Sequence, residues 1–221
     1  MSKVMETIRM DSDDVIIEKI CGGDTPLFEI LIRRYNPVLY RIARGYGFNH
    51  QDAEDLMQET HVAAFLDLRK FEGRASYKTW VSRIMINKCL YKLKYGSYKR
   101  EVPHDAVDEE AAASAAAHFE ADKTLTRELG HILERSIGAI PLPYRTVFVL
   151  RVVEGFSVAE TAALLQITPV NVKVRLNRAK ALLQKKIEAS YSQADLYSFH
   201  LSYCDGLVRR VFESIRDQHP A

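Results

Sequence analysis

At 221 residues the chain is long enough for one or two domains with a sizeable core. Its 47% hydrophobic and 27% charged residues, with a formal net charge of +2, are those of an ordinary globular protein. This excludes a chain disordered by charge, and no apolar run approaches the length of a bilayer span. Three scattered cysteines, Cys21, Cys89 and Cys204, show no metal spacing and no disulfide framework, which fits a reducing cytoplasm, as does the polar, acidic start in place of a signal peptide. Few Gly and Pro between long 3.6-residue patterns predict an all-α protein.

In chain order, Ser12 or Asp13 is placed to cap a first helix that buries Val15, Ile16 and Ile20, and Gly22-Gly23 stop it. Asp24 and Pro26 open a second helix, along which Leu27, Ile30, Leu31, Tyr35, Leu39 and Ile42 recur at helical spacing. Asn36-Pro37 is expected to kink or interrupt it, because proline removes a backbone donor, and Gly45 and Gly47 to end it. Asn49 caps a third helix over 51–71, with Asp52, Glu54 and Asp55 near its positive end. Ala53, Leu56, Met57, Ala64, Phe65 and Leu68 form its apolar seam. The other side, Asp52, Asp55, Gln58, Glu59 and Asp67, reads either as a solvated acidic face or as a docking surface for a basic partner.

Residues 74–100 are the most unusual stretch. They hold eight basic residues and no acid, interleaved with Tyr77, Trp80, Tyr91, Tyr95 and Tyr98. Cations that track phosphates and rings that stack on unpaired bases suit single-stranded nucleic acid; the alternative is a solvated basic helix whose rings belong to the core. The character then reverses: residues 101–122 carry seven acids, no basic residue and an alanine-rich run. With little to bury, this predicts a flexible acidic linker and a domain boundary.

A second domain opens with a helix over about 123–139, with Leu125, Leu129, Ile132, Leu133 and Ile137 on one face, broken by Pro141 and Pro143. A helix over 144–153 follows. Ser157 to Glu160 then spell a capping box before a short helix rich in alanine. After a turn, Thr168 caps and Pro169 opens a last helix to about residue 187. Short helix, tight turn and basic helix is the helix-turn-helix order. Val172, Leu176, Ala179 and Leu183 make a core stripe, and Val174 lies about 200° from Val172, outward among Asn171, Lys173, Asn177 and Arg178. An outward Val with amides and cations suits a major groove.

Three pieces, in this order, carry a family resemblance: Asp52-Ala53-Glu54-Asp55-Leu56-Met57-Gln58-Glu59-Thr60; residues 71–87 (FEGRASYKTWVSRIMIN); and residues 171–180 (NVKVRLNRAK). Over about 25–95 and 129–185 the chain resembles a bacterial sigma factor of the sigma-70 family, extracytoplasmic-function group. The resemblance implies a cytoplasmic, non-enzymatic protein that binds core RNA polymerase and directs promoter recognition, melting and initiation. It implies a region 2 domain (12–99), a linker (100–122), a region 4 helix-turn-helix domain (123–188) and a C-terminal extension (189–221). Asp52, Asp55, Gln58 and Glu59 would dock on the polymerase clamp, with the flap as a further contact. Phe71, Ser76, Tyr77, Lys78, Thr79, Trp80 and Arg83 would hold the melted minus-ten element, Ser76 and Tyr77 helping to form a flipped-base pocket, with Asn87 and Lys88 near the upstream duplex edge. Thr168, Asn171, Lys173, Val174, Arg175, Asn177 and Arg178 would serve the minus-thirty-five element. An anti-sigma factor is a candidate further partner, and the free chain is expected to be monomeric. His61 stands where the family often has an aromatic residue, and Val170 and Val174 where many members have Gly and Ser, which leaves the promoter sequence open.

In the extension, Leu196, Phe199, Tyr203, Leu207, Val211 and Ile215 predict an amphipathic helix from about Asp195, a candidate regulatory element. His200 and Cys204 give two potential ligands, too few for structural zinc. Two rival readings are weighed. A stand-alone regulator using only the last helix leaves residues 74–100 unexplained. An enzyme on nucleic acid lacks clustered carboxylates, an activated nucleophile or a phosphate loop. No metal or cofactor is expected.

Overall fold

The structure is a computed structural model, and it describes residues 11–95, 130, 132–190 and 208–211. All regular structure among the described residues is helical. The linker, the start of the second domain and most of the extension, with His200 and Cys204, lie outside them.

The first four helices are α1 (Asp13–Cys21), α2 (Phe28–Tyr46), α3 (His50–Leu66) and α4 (Tyr77–Tyr95), with 3-10 turns at Thr25–Leu27 and Leu68–Lys70. Helices α2, α3 and α4 pack pairwise on one another, and α1 lies on α2. Helix α2 supplies the centre: Leu31, Leu39 and Ala43 are fully buried and Ile30 and Ile42 nearly so, one stripe at helical period. Truncating such a leucine to alanine typically costs about 2–5 kcal/mol. Helix α1 is tied down by Asp13, which accepts from the Arg34 guanidinium at 2.5 Å and from the Tyr35 hydroxyl.

Several local expectations are corrected. Val15 is exposed and Ile17 takes its place in the core, while Ser12 stands at the N-cap without a side-chain hydrogen bond. Pro37 does not interrupt α2, because it lies on the exposed side of a helix whose other face is locked into the core. Gly45 sits inside that helix, and Gly47, at φ 96°, makes the left-handed cap. Asn49 does cap α3, accepting from the Asp52 amide at 2.8 Å, but α3 ends at Leu66, before the 3-10 turn. Thr60 and His61 are buried in it beside the expected seam, whereas Phe65 is exposed.

Further along come α5 (132–138), α6 (Leu142–Phe148), α7 (Val158–Leu165) and α8 (Pro169–Ser190). Pro143 opens α6 rather than breaking a helix, since its missing donor falls in the first turn, and α6 runs on as a π-helical turn over Val149–Val153. Ser157 and Glu160 form the expected capping box, and Thr168 Oγ1 accepts from the Asn171 amide at 3.2 Å. Between α7 and α8, Gln166 takes a left-handed conformation at φ 53°. Val172 and Ala179 are fully buried against this second set of helices, as their spacing requires.

The described residues up to Leu183 form one compact unit; a second begins at Gln184, and its residues 208–211 are helical. Within the first unit the two sets of helices pack on one another. Leu150, Phe156 and Leu164 belong to the same core as α1 to α4. Gly45 makes this approach possible, since a Cβ there would lie 3.1 Å from a Val149 methyl. Arg145 clamps the seam by donating from Nε to the Gly45 carbonyl at 2.6 Å.

Candidate nucleic-acid interface

The loop before α4 is short and anchored. Gly73 takes φ 68°, Glu72 pairs with Arg74, and Ser76 Oγ accepts from the Thr79 amide at 3.2 Å, capping α4. The rings around it mostly turn inward. Tyr77 is buried, with Tyr35 at 5.2 Å, Phe71 at 5.8 Å and Trp80 at 5.6 Å between ring centroids. Burial raises the pKa of its phenol, and the hydroxyl has no hydrogen-bond partner. Phe71 and Trp80 are half-buried, so of these three rings Tyr77 is the one that belongs to the core.

The outer face of α4 is different. Arg83, Asn87, Leu90, Tyr91, Lys94 and Tyr95 are all exposed, and the helix carries no carboxylate. Tyr91 and Tyr95 lie ring against ring at 4.9 Å, with the Lys94 ammonium 4.9 Å over Tyr95. Such a face offers cations to phosphates and flat rings to bases or sugars. The tyrosine pair was visible in the sequence, but only its exposure separates it from Tyr77. Nearer the start of the helix, Lys78, Thr79 and Arg83 are engaged by the second set of helices: Lys78 beside Glu154, Thr79 on Glu160 at 2.9 Å and Arg83 on the Ala163 carbonyl at 3.4 Å.

On α8, Asn171, Lys173, Val174 and Asn177 are exposed, Val174 being 42% accessible. Arg175 is half-buried. Arg178 is exposed but leans on Tyr144, donating to its hydroxyl at 3.2 Å, and Thr168 is taken up in capping. Glu160 holds a pKa below its ordinary value because Ser157 hydrogen-bonds its carboxylate through side chain and backbone.

Of the four acidic and amide residues expected to dock on polymerase, Asp55, Gln58 and Glu59 are exposed and Asp52 is partly buried. Asp52 turns toward α4 and pairs with Lys92 at 2.6 Å, and Glu59 pairs with Lys88 at 3.0 Å. Asp55 and Gln58 are exposed, and Gln58 borders a largely apolar groove of about 700 Å³ between α2 and α3, lined by Phe28, Ile32, Met57, Val62 and Phe65. His61 forms part of its wall. Its Nε2 faces Asn36 Oδ1 at 2.8 Å, and burial lowers its pKa to about 4, so it is neutral at pH 7. Met57 and Phe65, which their spacing placed in the apolar seam of the helix, line this groove together with Val62. Among the described residues, no cluster of His, Cys, Asp or Glu could hold a metal ion, and no helix is long and apolar enough to cross a membrane.

Two family models match: sigma-70 region 2 over residues 31–97 and sigma-70 region 4 over residues 131–183. The ECF RNA polymerase sigma factor SigM of Mycobacterium tuberculosis is 28% identical over 174 residues, 79% of this chain and 84% of that protein. The ECF RNA polymerase sigma-E factor of Escherichia coli K12 is 28% identical over 182 residues, 80% of this chain and 95% of its own. Among solved structures, CnrH in complex with the cytosolic domain of CnrY is similar at a TM-score of 0.57 and 25% identity, covering 82% of this chain and all of the other. The sigma factor RpoE of Bartonella quintana, in complex with the anti-sigma factor NepR, shares the fold at a TM-score of 0.56 and 19% identity, over 74% of this chain and 98% of its own.

Proposed function

The chain belongs to the extracytoplasmic-function group of sigma-70 factors, and we propose on that premise how the surfaces of this alternative sigma factor divide its work. The observation that carries the proposal is α4: a helix of 19 residues without a carboxylate, whose outer face is exposed and both basic and aromatic. Arg83, Asn87 and Lys88, with the Tyr91–Tyr95 pair, contact DNA where duplex passes into melted strand. Phe71, Ser76, Lys78, Thr79 and Trp80 hold the unpaired bases, and Tyr77 supports the pocket from behind. Melting costs unpairing energy, which bases trapped on such a surface offset at roughly 1–3 kcal/mol per stacked base.

Helix α8 reads the minus-thirty-five element through Asn171, Lys173, Val174 and Asn177, with Thr168, Arg175 and Arg178 positioning it on phosphates. Core polymerase docks through its clamp on the outer side of α3. Asp55, Gln58 and Glu59 are the exposed contacts, Glu59 with Lys88 beside it, and Asp52 reaches it by exchanging Lys92 for a polymerase cation. The flap engages the second domain. A protein regulator fits the pattern of the neighbours, since CnrH was solved with the cytosolic domain of CnrY and RpoE with an anti-sigma factor.

Promoter opening by the purified chain with core polymerase tests this, run beside Asp55→Lys with Gln58→Lys. Both side chains are exposed, so the double variant keeps its fold. The expected result is loss of core binding and promoter opening together. Binding of duplex DNA by the wild type without affinity for core polymerase would favour a stand-alone regulator instead.

A further inference from the structure

Helix α8 is held in one rotational setting. Val172 packs with Val147 and Ala162, and Ala179, two turns on, is also fully buried. Thr168 caps the first turn, and the left-handed Gln166 fixes the chain just before it. At about 100° per residue, the strip opposite this anchor is made by Val170, Val174, Asn177 and Ala181, all exposed. Lys173 stands on one flank of the strip and Arg178 on the other. From Pro169 to Leu183 the helix carries four basic residues and no acid, a balance that suits the phosphates on either side of a groove.

A single exposed valine is ordinary on a protein surface and points to no ligand. Here two stand one turn apart, Val170 at 68% and Val174 at 42% accessible, along the middle of the strip. They lie in the first two turns of the helix, the part of a recognition helix that meets base edges. Neither side chain has a donor or an acceptor. Pressed on the major-groove edge of a base pair, a valine strips water from amine, carbonyl and ring nitrogen and returns no hydrogen bond. The one apolar group on those edges is the C5 methyl of thymine. A base pair facing either valine therefore binds best when it presents a C5 methyl.

We infer that Val170 and Val174 are specificity-determining residues that read C5 methyl groups at two base pairs of the minus-thirty-five element. Four residues of helix span about 6 Å, so the two methyls lie within about two base-pair steps of each other. Asn177, beside the valines, serves a neighbouring polar edge, and Arg178 a phosphate. The group read is the methyl, which thymine and 5-methylcytosine both present. The placement of α8 on this element comes from the sigma-factor reading; the methyl preference comes from the two valines.

The test uses core polymerase carrying the full chain, which selects binders from a pool of duplexes randomised over both promoter elements. Thymines of the selected upstream element are then replaced one at a time by deoxyuridine, which removes only the methyl. A second series replaces them, with guanine opposite, by 5-methylcytosine, which keeps the methyl and exchanges a carbonyl for an amine. Expected is thymine, on either strand, at two base pairs no more than about two steps apart, with uracil at each lowering affinity about threefold to fivefold, the worth of one buried carbon. Val170→Ala should abolish the uracil effect at one of these pairs and Val174→Ala at the other. Both valines are exposed and alanine favours the helix, so the variants keep their fold. Within that result, 5-methylcytosine bound like thymine extends the preference to methylated cytosine, and 5-methylcytosine bound like uracil confines it to thymine. A selected element without A·T pairs, uracil bound as tightly as thymine at every position, or a uracil effect unchanged in both alanine variants would overturn methyl reading. A pool that acquires no upstream sequence preference, or no engagement of core polymerase at all, would sink instead the assignment of α8 to the minus-thirty-five element.

Discussion

His61 shows how a single side chain can be both core and surface. It is 7% exposed, edge-on to Phe28, bonded to Asn36 through one nitrogen and without a partner on the other. Its pKa falls from the ordinary 6.5 to about 4 because burial disfavours the imidazolium. The sign follows from proton counting: between these values the unfolded chain binds a proton that the folded one does not, so stability falls as pH drops through the window and levels off below it. His61→Phe keeps a flat ring in the wall of the groove and removes the titration. The stability gap between wild type and variant should shift against the wild type by up to about 3 kcal/mol between pH 7.5 and pH 4. Urea unfolding of both proteins at a series of pH values measures it, and groups common to the two cancel in the difference. A gap independent of pH would mean that the imidazole protonates freely in the fold.

At the scale of elements, the approach of α2 to the π-helical turn rests on one missing side chain. Gly45 is in the last turn of α2, where alanine would gain about 0.5–1 kcal/mol in helix propensity. Its Cβ, however, would press within 3.1 Å of Val149, which is itself buried. Gly45→Ala is therefore expected to be neutral or destabilising alone and stabilising in a Val149→Ala background, a coupling of at least about 0.5 kcal/mol in a double-mutant cycle. Simple additivity would show that the two helices can part without cost. The same contact marks the limit of what could be read from residues. Helices with strong periodicity and caps, such as α2 from Ile30 to Ile42 or the Ser157–Glu160 box, were legible because local pattern decides them. Pro37 misled because a core-locked face overrides one missing donor, and the burial of Tyr77 could not be told from the exposure of Tyr91 in a string that alternates rings with cations. The pairing of Glu154 with Arg41 and Lys78 spans 113 residues for Arg41 and 76 for Lys78, and no spacing rule reaches across a linker.

For the whole molecule, the question is whether two family modules share one cooperative core. Composition and an acidic, alanine-rich linker suggest two bodies that act by tethering, which would give avidity set by linker length. The packing of Leu150, Phe156 and Leu164 into the core of α1 to α4 suggests instead that neither module is at full stability alone. Leu150 separates these views, because it is 2% exposed and lies at the seam rather than in the interior of either module. Leu150→Ala should cost about 2–5 kcal/mol. If the core is shared, that loss is transmitted: hydrogen-exchange protection of amides around Leu39 and Val81, both fully buried in the first module, falls together with that around Val172 in the second. If the modules merely touch, only the second loses protection and thermal unfolding divides into two steps.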